Sequence, residues 1–556
     1  MGDSFDLRTQ PWIPVRDWAG RVRELSLLET FEQAPELQGL AGELPTQQQA
    51  IFRVLLAVAH SALPRASTNA ERALAEWGEW WQAGSIPFDP IRAYLERPDI
   101  AQRFDLFHPE TPFFQVADLH TASGGTSGLA KLIADVPAGH PYFTTRAGAE
   151  VTSLSIAEAA RWLVHAQMYD TSGIKTGSVG DDRVKGGRGY PQGIAWAGVL
   201  GIVFAESTNL GRTLLLNLIR CPDRPEADTP VWERTQPGPG TEVEQQPRGP
   251  VDLLVRQTRR VRLIRDGDRV VDAVLSYGDP LQPHNQHQFE QFSAWKRSTN
   301  LEAKAGKGST VYWPVQHQPD RALWRGFSAM LSAAPRTVGT QEAYLAPQLL
   351  DWLALLRSDE ALPSTEPIRM HAIGMEYVNN QSVVGSIIDD VVAVPVGVLT
   401  DVHLRSAAST AVTIADGGVR ALRDLARDLA TAEGSDPAGA GDRATELGYH
   451  ILDGPYRDWV AHDLPTQGAS DAGSAWIDRV RGLILHAGDG LARAAPRTAW
   501  IGREVIPRNG KPHHLDTGTA WRYFLIALNK VLPRQRPTTA ADDSSRATDP
   551  DDGATP

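Results

Sequence analysis

Six arginines fall within residues 256–269 (Arg256, Arg259, Arg260, Arg262, Arg265, Arg269), against two aspartates. A guanidinium stays charged and offers parallel donors in a planar fork, a geometry that suits phosphate. The run Arg260-Val261-Arg262-Leu263 alternates charge with apolar bulk. With a turn at Asp266-Gly267-Asp268 and a return through Val270–Leu275, it predicts a hairpin over 253–276. Two readings are open: a strand face that follows a nucleic-acid backbone, or a solvated sheet face whose partners lie elsewhere. Segment 171–190, TSGIKTGSVGDDRVKGGRGY, is the second candidate. It carries six glycines and Lys175, Arg183, Lys185 and Arg188, against Asp181 and Asp182. Glycines let the backbone approach closely, so that amides and basic tips can meet phosphates; a plain surface loop has the same composition. No GxxxxGK[ST] pattern is present, so nucleotide hydrolysis gains no support.

Tyr377-Val378-Asn379-Asn380-Gln381-Ser382 is the third candidate. An Asn-Asn pair tolerates left-handed backbone, which predicts a hairpin turn. Amides at such a tip could also bond base edges, or enter a groove and part a base pair. Between 104 and 143, Phe104, Phe107, Phe113 and Phe114 read as anchors that pin a long loop to the core, and that loop includes the Gly/Ser run Ser123–Gly128.

Catalytic and metal chemistry find little footing. The 15 histidines are scattered, and there is no HExxH or GxSxG. His462-Asp463, and His513 and His514 near Asp516, lack an accompanying ligand set, and Asp389-Asp390 reads as a turn. Cys221 is the sole cysteine, so an internal disulfide and a multi-thiolate zinc site are both excluded. The reading is a non-enzyme without metal or cofactor.

The elements that must position these residues are those of a large α+β protein. At 556 residues, with 42% hydrophobic content and 16 tryptophans, the chain is long enough for two or three domains. Residues 1–35 predict a small sheet. Helices are expected over 46–60, over 69–83 with Thr68 as N-cap, and from Ser155 to near Gly173 with Glu158 closing a capping box. Thr213–Ile219 is apolar but too short to assign. After about 398 the pattern turns helical: 403–432, 444–462 with a break at Gly454-Pro455, 471–494 and 517–532. The expected domains are a mixed α/β domain over 1–397 that carries the recognition loops, a C-terminal four-helix bundle over 398–536, and a disordered acidic tail over 537–556. The net charge of −12 argues against gripping nucleic acid with the whole surface, but leaves room for local basic tracks. No signal-type segment and no run of 18 apolar residues occurs, so a soluble, cytoplasmic chain without a membrane partner is expected.

Several pieces, in one order, carry a family resemblance: DLRTQPWIPVRDWAGRVRELSLLETF at 6–31, PTQQQAIFRVLLAVAH at 45–60, HPETPFFQV at 108–116, AARWLVHAQMYD at 159–170, GRTLLLNLI at 211–219, PVW at 230–232, RQTRRVRL at 256–263 and YVNNQS at 377–382. The chain resembles the large subunit of the type I-E CRISPR Cascade complex, the CasA family, over roughly 5–400, with weaker helical similarity to about 532. The resemblance implies a non-catalytic subunit of a crRNA-guided surveillance complex. Such a subunit recognises the protospacer-adjacent motif in double-stranded DNA from the minor groove, helps open the duplex for R-loop formation, and helps recruit the helicase-nuclease. Its partners would be crRNA, target DNA, the other Cascade subunits and that effector; a scaffold that binds crRNA and partner proteins without reading DNA is the alternative. Carried over, Gln381 with Asn380 and Ser382 resembles the family's glutamine wedge, and Pro137-Ala138-Gly139, with Ala138 and Gly139 facing the motif, resembles its glycine loop. The loop 116–128 resembles one that contacts the complex and the crRNA 5′ handle. For the motif-contacting lysine, Lys175, Lys185 and a group beside Arg256–Arg262 all stay open, and Arg183 and Arg188 join the implied DNA contacts. Asp181 and Asp182 would repel a phosphate unless they face arginines. Some relatives carry a cysteine cluster suited to zinc, which this chain lacks.

Overall fold

The computed structural model describes residues 4–136, 144, 146, 151–220, 224–240, 246–306, 308–326, 337–338, 341–506 and 512–533. Pro137-Ala138-Gly139, Cys221 and the tail from 537 lie outside the described residues. The chain divides into two compact units, 1–412 with 460–466, and 413–459 with 467–556.

In the first unit, Ile13–Asp17 (β1) pairs antiparallel with Val22–Leu25 (β2) across a turn in which Gly20 takes φ 78°. Ser26 then starts a helix, Leu27–Glu32 (α1), inside the stretch 1–35 that was expected to be sheet. The Ser26 hydroxyl accepts from the Glu29 amide while the Glu29 carboxylate accepts from the Ser26 amide, a reciprocal cap that favours helix at that point. Leu37–Leu40 (β3) completes the sheet on the other side of β1. Pro45–Ala62 (α2) is largely buried, and its Arg53 forms an ion pair with Glu290 at 3.1 Å in the interior. Ala70–Ala83 (α3) is capped by Asn69 rather than Thr68, and ends at Gly84 in left-handed backbone. Ile156–Tyr169 (α4) begins as expected, with the Ser155 hydroxyl accepting from the Glu158 amide at 3.1 Å. It stops at Tyr169 rather than near Gly173, because Asp170 turns extended and its carboxylate is engaged by Lys175 and Arg259.

Lys175–Thr176 (β4) and Arg188–Gly189 (β5) close the glycine-rich segment into a small hairpin. Ile202–Glu206 (β6) is followed by Leu210–Asn217 (α5); Asn209 caps α5, so the apolar run there is helix. Arg259–Asp266 (β7) and Arg269–Tyr277 (β8) form the expected arginine hairpin, with Gly267 at φ 57° in the turn. Trp295–Arg297 (β9) lies in a separate small sheet. Pro367–Val378 (β10) and Val383–Pro395 (β11) make a long hairpin, and β6 pairs with the other edge of β10.

Asp389 and Asp390, expected in a turn, lie inside β11. Asp389 there faces His371 of β10, whose Nε2 is 2.5 Å from its carboxylate, while Nδ1 is 2.7 Å from Glu206 of β6. Burial works against a charge on His371, but the bonds to Asp389 and Glu206 and their charges outweigh it. The imidazole is pushed up to about 9, so at neutral pH a cation ties the three strands together.

The second unit is helical, built on Val402–Glu433 (α6, whose first turns belong to the first unit), Pro437–Asp458 (α7), Leu464–Arg493 (α8) and Thr517–Val531 (α9). The expected break at Gly454-Pro455 does not occur. Pro455 sits within α7, and the irregularity comes later, as a π-helical turn over Trp459–Asp463. Residues 464–474, expected as a join, are mostly helical, interrupted where Gly468 takes φ 80°. Tyr456, Trp459 and Trp476 pack ring against ring, and the Trp459 indole donates to the Ala472 carbonyl at 2.8 Å. The core of this unit is aromatic as well as aliphatic. Among the described residues no helix is long and apolar enough to cross a membrane.

Candidate nucleic-acid interface

The tip of the long hairpin is its least ordinary backbone. Asn379, Asn380 and Gln381 all take positive φ, at 52°, 56° and 64°. For non-glycine residues this region costs roughly 1–2 kcal/mol each, and asparagine tolerates it best. The register of β10 and β11 ends at the pair Val378–Val383, with a shift between Glu376 and Tyr377. The tip is then tied down by its backbone. The Ser172 amide donates to the Gln381 carbonyl at 2.7 Å, and the Ser382 hydroxyl donates to the Asn379 carbonyl at 2.7 Å. Lower on the hairpin, the buried Tyr377 hydroxyl donates to the Tyr169 carbonyl at 2.6 Å, and burial raises its pKa well above that of free tyrosine. Gly198 makes room for that ring; a Cβ there would lie 2.3 Å from the hydroxyl oxygen. The side chains of Asn379, Asn380 and Gln381 remain exposed.

Two clefts border this tip. One, of about 570 Å³, is lined by Ser382, Val383 and Val384 from the hairpin, by Lys131–Ala134 and Val136, and by Thr171, Gly173 and Lys175 of the glycine-rich segment. The other, of about 730 Å³, is lined by Gln381, Tyr377 and Glu376 and by Lys296, Thr299 and Asn300. The structure thus brings Ser382 together with the chain that leads into 137–139, while Gln381 faces the second cleft. Lys296 was not singled out in the sequence. It is exposed on β9, with its ammonium 5.9 Å from the Tyr344 ring centre, and neither its local sequence nor its spacing marks it. Lys131 is exposed as well, and its place just before the 137–139 loop is a signal that a reader could have used.

The basic candidates separate sharply. Lys175 is 9% exposed and paired with Asp170 at 2.7 Å; burial lowers its pKa, and the carboxylate only partly offsets this. Arg259 is 3% exposed and pairs with the same Asp170. It also donates to the carbonyls of Asp170, Thr171 and Gly193 and lies over the Tyr277 ring. Burial opposes the charge on Asp170, but the two cations prevail and hold it below the usual carboxylate range. Arg260, at 2% exposed, pairs with Asp279 at 2.8 Å, and Arg256, at 6%, pairs with Asp252 at 3.2 Å. The expected row of guanidiniums on an outward face is therefore corrected. Arg256, Arg259, Arg260 and Lys175 are consumed inside the fold, because each meets a carboxylate there: Asp252 four residues from Arg256, Asp170 five from Lys175 and 89 from Arg259, and Asp279 nineteen from Arg260.

Arg262 is exposed, with one bond at 3.4 Å to the Leu119 carbonyl. Arg183 is half-buried on Asp181 at 3.2 Å, so one of the two aspartates does face an arginine. Lys185 and Arg188 are exposed, and their side chains form no ion pair among the described residues. The phenylalanines behave as anchors. Phe104, Phe113 and Phe114 are buried and stack with Trp232, and Arg265 caps Phe107. From there 116–128 runs back along the arginine hairpin: the Val116 amide donates to the Val261 carbonyl, and the Thr126 hydroxyl donates to Asp272 at 2.6 Å. Among the described residues no group of three or more His, Cys, Asp or Glu could hold a metal ion.

The sequence model of the family described as CRISPR-associated protein Cse1 matches residues 6–487. The chain belongs to the Cse1 family. Among solved structures it is similar to Thermobifida fusca Cse1, at 42% identity and a TM-score of 0.85, covering 96% of this chain and 98% of that one. It is also similar to Cse1 from Acidimicrobium ferrooxidans, at 28% identity and a TM-score of 0.78, over 95% and 99% of the two chains. The CRISPR-associated protein CasA/Cse1 of Thermus thermophilus is 29% identical over 514 residues, 87% of this chain and 92% of the relative. Cse1, or CasA, is the large subunit of type I-E Cascade, and its members are non-catalytic. This Cse1 chain accordingly has a general role in crRNA-guided DNA surveillance and antiviral defence.

Proposed function

We propose that the chain recognises the protospacer-adjacent motif in double-stranded target DNA and uses the tip Asn379–Gln381 to part the first base pair, so that guide pairing and R-loop formation can begin. Gln381 is the wedge, Asn380 and Ser382 flank it, and the 137–139 loop with Ala138 and Gly139 faces the minor groove. Of the lysines near the tip, Lys296 takes the motif-contacting role in this reading, since it shares a cleft with Gln381 while Lys175 is buried. The exposed Lys185, Arg188 and Arg262, with the half-buried Arg183, serve the DNA or crRNA backbone. The carrying observation is the run of three left-handed residues, which holds bare amides at the end of a hairpin whose backbone is tied to Ser172. A tip fixed from behind can push into a base stack without folding back. Separating a pair costs a few kcal/mol of stacking and pairing, which the growing guide–target heteroduplex offsets. A minor-groove reader also accepts several related motifs, because that groove offers a degenerate pattern. Partner subunits, crRNA and the helicase-nuclease effector complete the assembly, in the cytoplasm.

The test is reconstitution with crRNA and the remaining subunits, with duplexes that differ only in the adjacent motif. The pair Gln381→Ala and Asn380→Ala should leave assembly unchanged and slow R-loop formation at least about tenfold, the scale of one lost strong contact. Unaltered R-loop formation removes the wedge. The burial of Arg256, Arg259 and Arg260 favours a second reading, a scaffold that binds crRNA and partners only; that reading requires equal binding to duplexes with and without the motif.

A further inference from the structure

Neighbouring residues of a strand point to opposite faces, and β7 uses both. Arg259 turns to Asp170 and the segment behind the hairpin tip. Arg260 turns the other way, where its Nε donates to the Gly238 carbonyl at 2.9 Å and its Nη2 to Asp279 at 2.8 Å. Its Nη1 is buried and has no hydrogen-bond partner among the described residues. An unmade bond at a buried guanidinium is costly, and a native fold that keeps one invites an acceptor from outside.

On that face lies a cleft of about 590 Å³, lined by Arg234, Arg248, Arg256 and Arg260 with Thr229 and Gln236. Its acidic groups are already engaged. Asp252 accepts from Arg234 at 2.8 Å, from Arg256 at 3.2 Å and from the Arg248 amide at 2.8 Å. Asp279 holds Arg260, and Glu233 accepts from the Tyr94 hydroxyl at 2.5 Å. Arg248 is exposed, and its guanidinium forms no ion pair among the described residues. Among the described residues four guanidiniums line the cleft against three carboxylates, an excess of positive charge. Burial lowers the pKa of Arg256; the charges of Asp252 and Asp279 oppose this, while those of Arg234 and Arg248 press with burial. An anion would relieve that repulsion and satisfy the spare donor together.

We propose that this cleft binds phosphate groups, with Arg248 and Arg260 as donors, on the face of the arginine strand opposite the hairpin tip. Among the described residues no aromatic side chain lines it, so it takes phosphate and leaves any attached base unread. The phosphate could belong to a nucleic-acid backbone or to a free nucleotide-sized ligand, and 590 Å³ has room for either.

The experiment uses the full chain, titrated with pyrophosphate at constant ionic strength by calorimetry. A labelled single-stranded RNA serves as a second probe, with pyrophosphate as competitor. Wild type should bind pyrophosphate, and Arg248→Gln and Arg248→Glu should weaken it about tenfold or more, as loss of a charge-assisted contact predicts. Both variants should melt like wild type without ligand, because Arg248 is exposed. Displacement of the RNA by pyrophosphate, lost in the same variants, assigns the site to backbone phosphate. Pyrophosphate binding without displacement assigns it to a free phosphate ligand. No pyrophosphate binding, or equal binding by wild type and both variants, overturns the proposal. Gln381→Ala should keep full pyrophosphate affinity, which separates failure here from failure of the wedge.

Discussion

In the hairpin of β7 and β8, the arginines at 259 and 260 point inward, each against a carboxylate and several carbonyls, and the strand is fixed by them. In the hairpin of β10 and β11, the side chains at 379–381 are exposed with no hydrogen bond among the described residues, and their backbone is fixed. Both segments are rich in groups that suit nucleic acid, yet one spends nearly all of them on folding, with the Nη1 of Arg260 left over, and the other leaves them to a ligand. Charge or donor count is therefore a poor guide to an interface. What decides is whether the rest of the chain supplies the partner first.

The largest test of this contrast is at Asp170, which serves Lys175 and Arg259 together. Asp170→Ala strands two buried cations and should cost about 3–5 kcal/mol in urea unfolding; a loss under about 1 kcal/mol would return the arginine strand to the interface. Next is the root of the long hairpin. His371 is raised from its ordinary 6.5 to about 9, so its stabilising contribution is complete below pH 6.5 and is lost as pH rises through 9. Melting temperature should fall between pH 7 and 10, by the equivalent of up to roughly 3 kcal/mol, and His371→Gln should flatten that fall. An equally steep fall in the variant would show that the charge on His371 does not clamp the strands.

At the tip, Asn380→Gly should stabilise the protein by roughly 1 kcal/mol, since glycine accepts positive φ without cost. The same change should impair duplex opening, and this opposition between stability and activity marks residues kept for a ligand. Destabilisation by Asn380→Gly would mean that the asparagine side chain serves the fold. The smallest effect belongs to Lys185 and Arg188. Their joint replacement by alanine should alter stability by no more than about 0.5 kcal/mol, while lowering the salt dependence of nucleic-acid binding by the assembled complex.

Much of the local structure was legible. Ser155 with Glu158 marked a helix start, Asp266-Gly267-Asp268 marked a turn, and Asn379-Asn380 marked the hairpin tip, because caps and left-handed turns are settled by residues within a few positions of each other. The errors have equally local causes. Ser26 began a helix inside a stretch expected to be sheet, through its reciprocal cap with Glu29, and Pro455 sits within α7 without ending it. The candidate site was less legible: Gln381 was found, but Lys296 came to its cleft from 85 positions away, with nothing in its own segment to mark it.

The sequence by itself determined the arginine hairpin, several helix starts, the left-handed turn at 379–381 and, through ordered motifs, the family. Tertiary structure alone decided which cations meet water. Alternation along a strand sends Arg259 and Arg260 to opposite faces, but whether a face is covered depends on chain that is distant in sequence. Asp170 lies 89 positions from Arg259, and no local pattern records that meeting. A buried charge persists only where such a partner compensates its lost hydration, so the same six arginines could have made a binding face or a core, and the fold divided them.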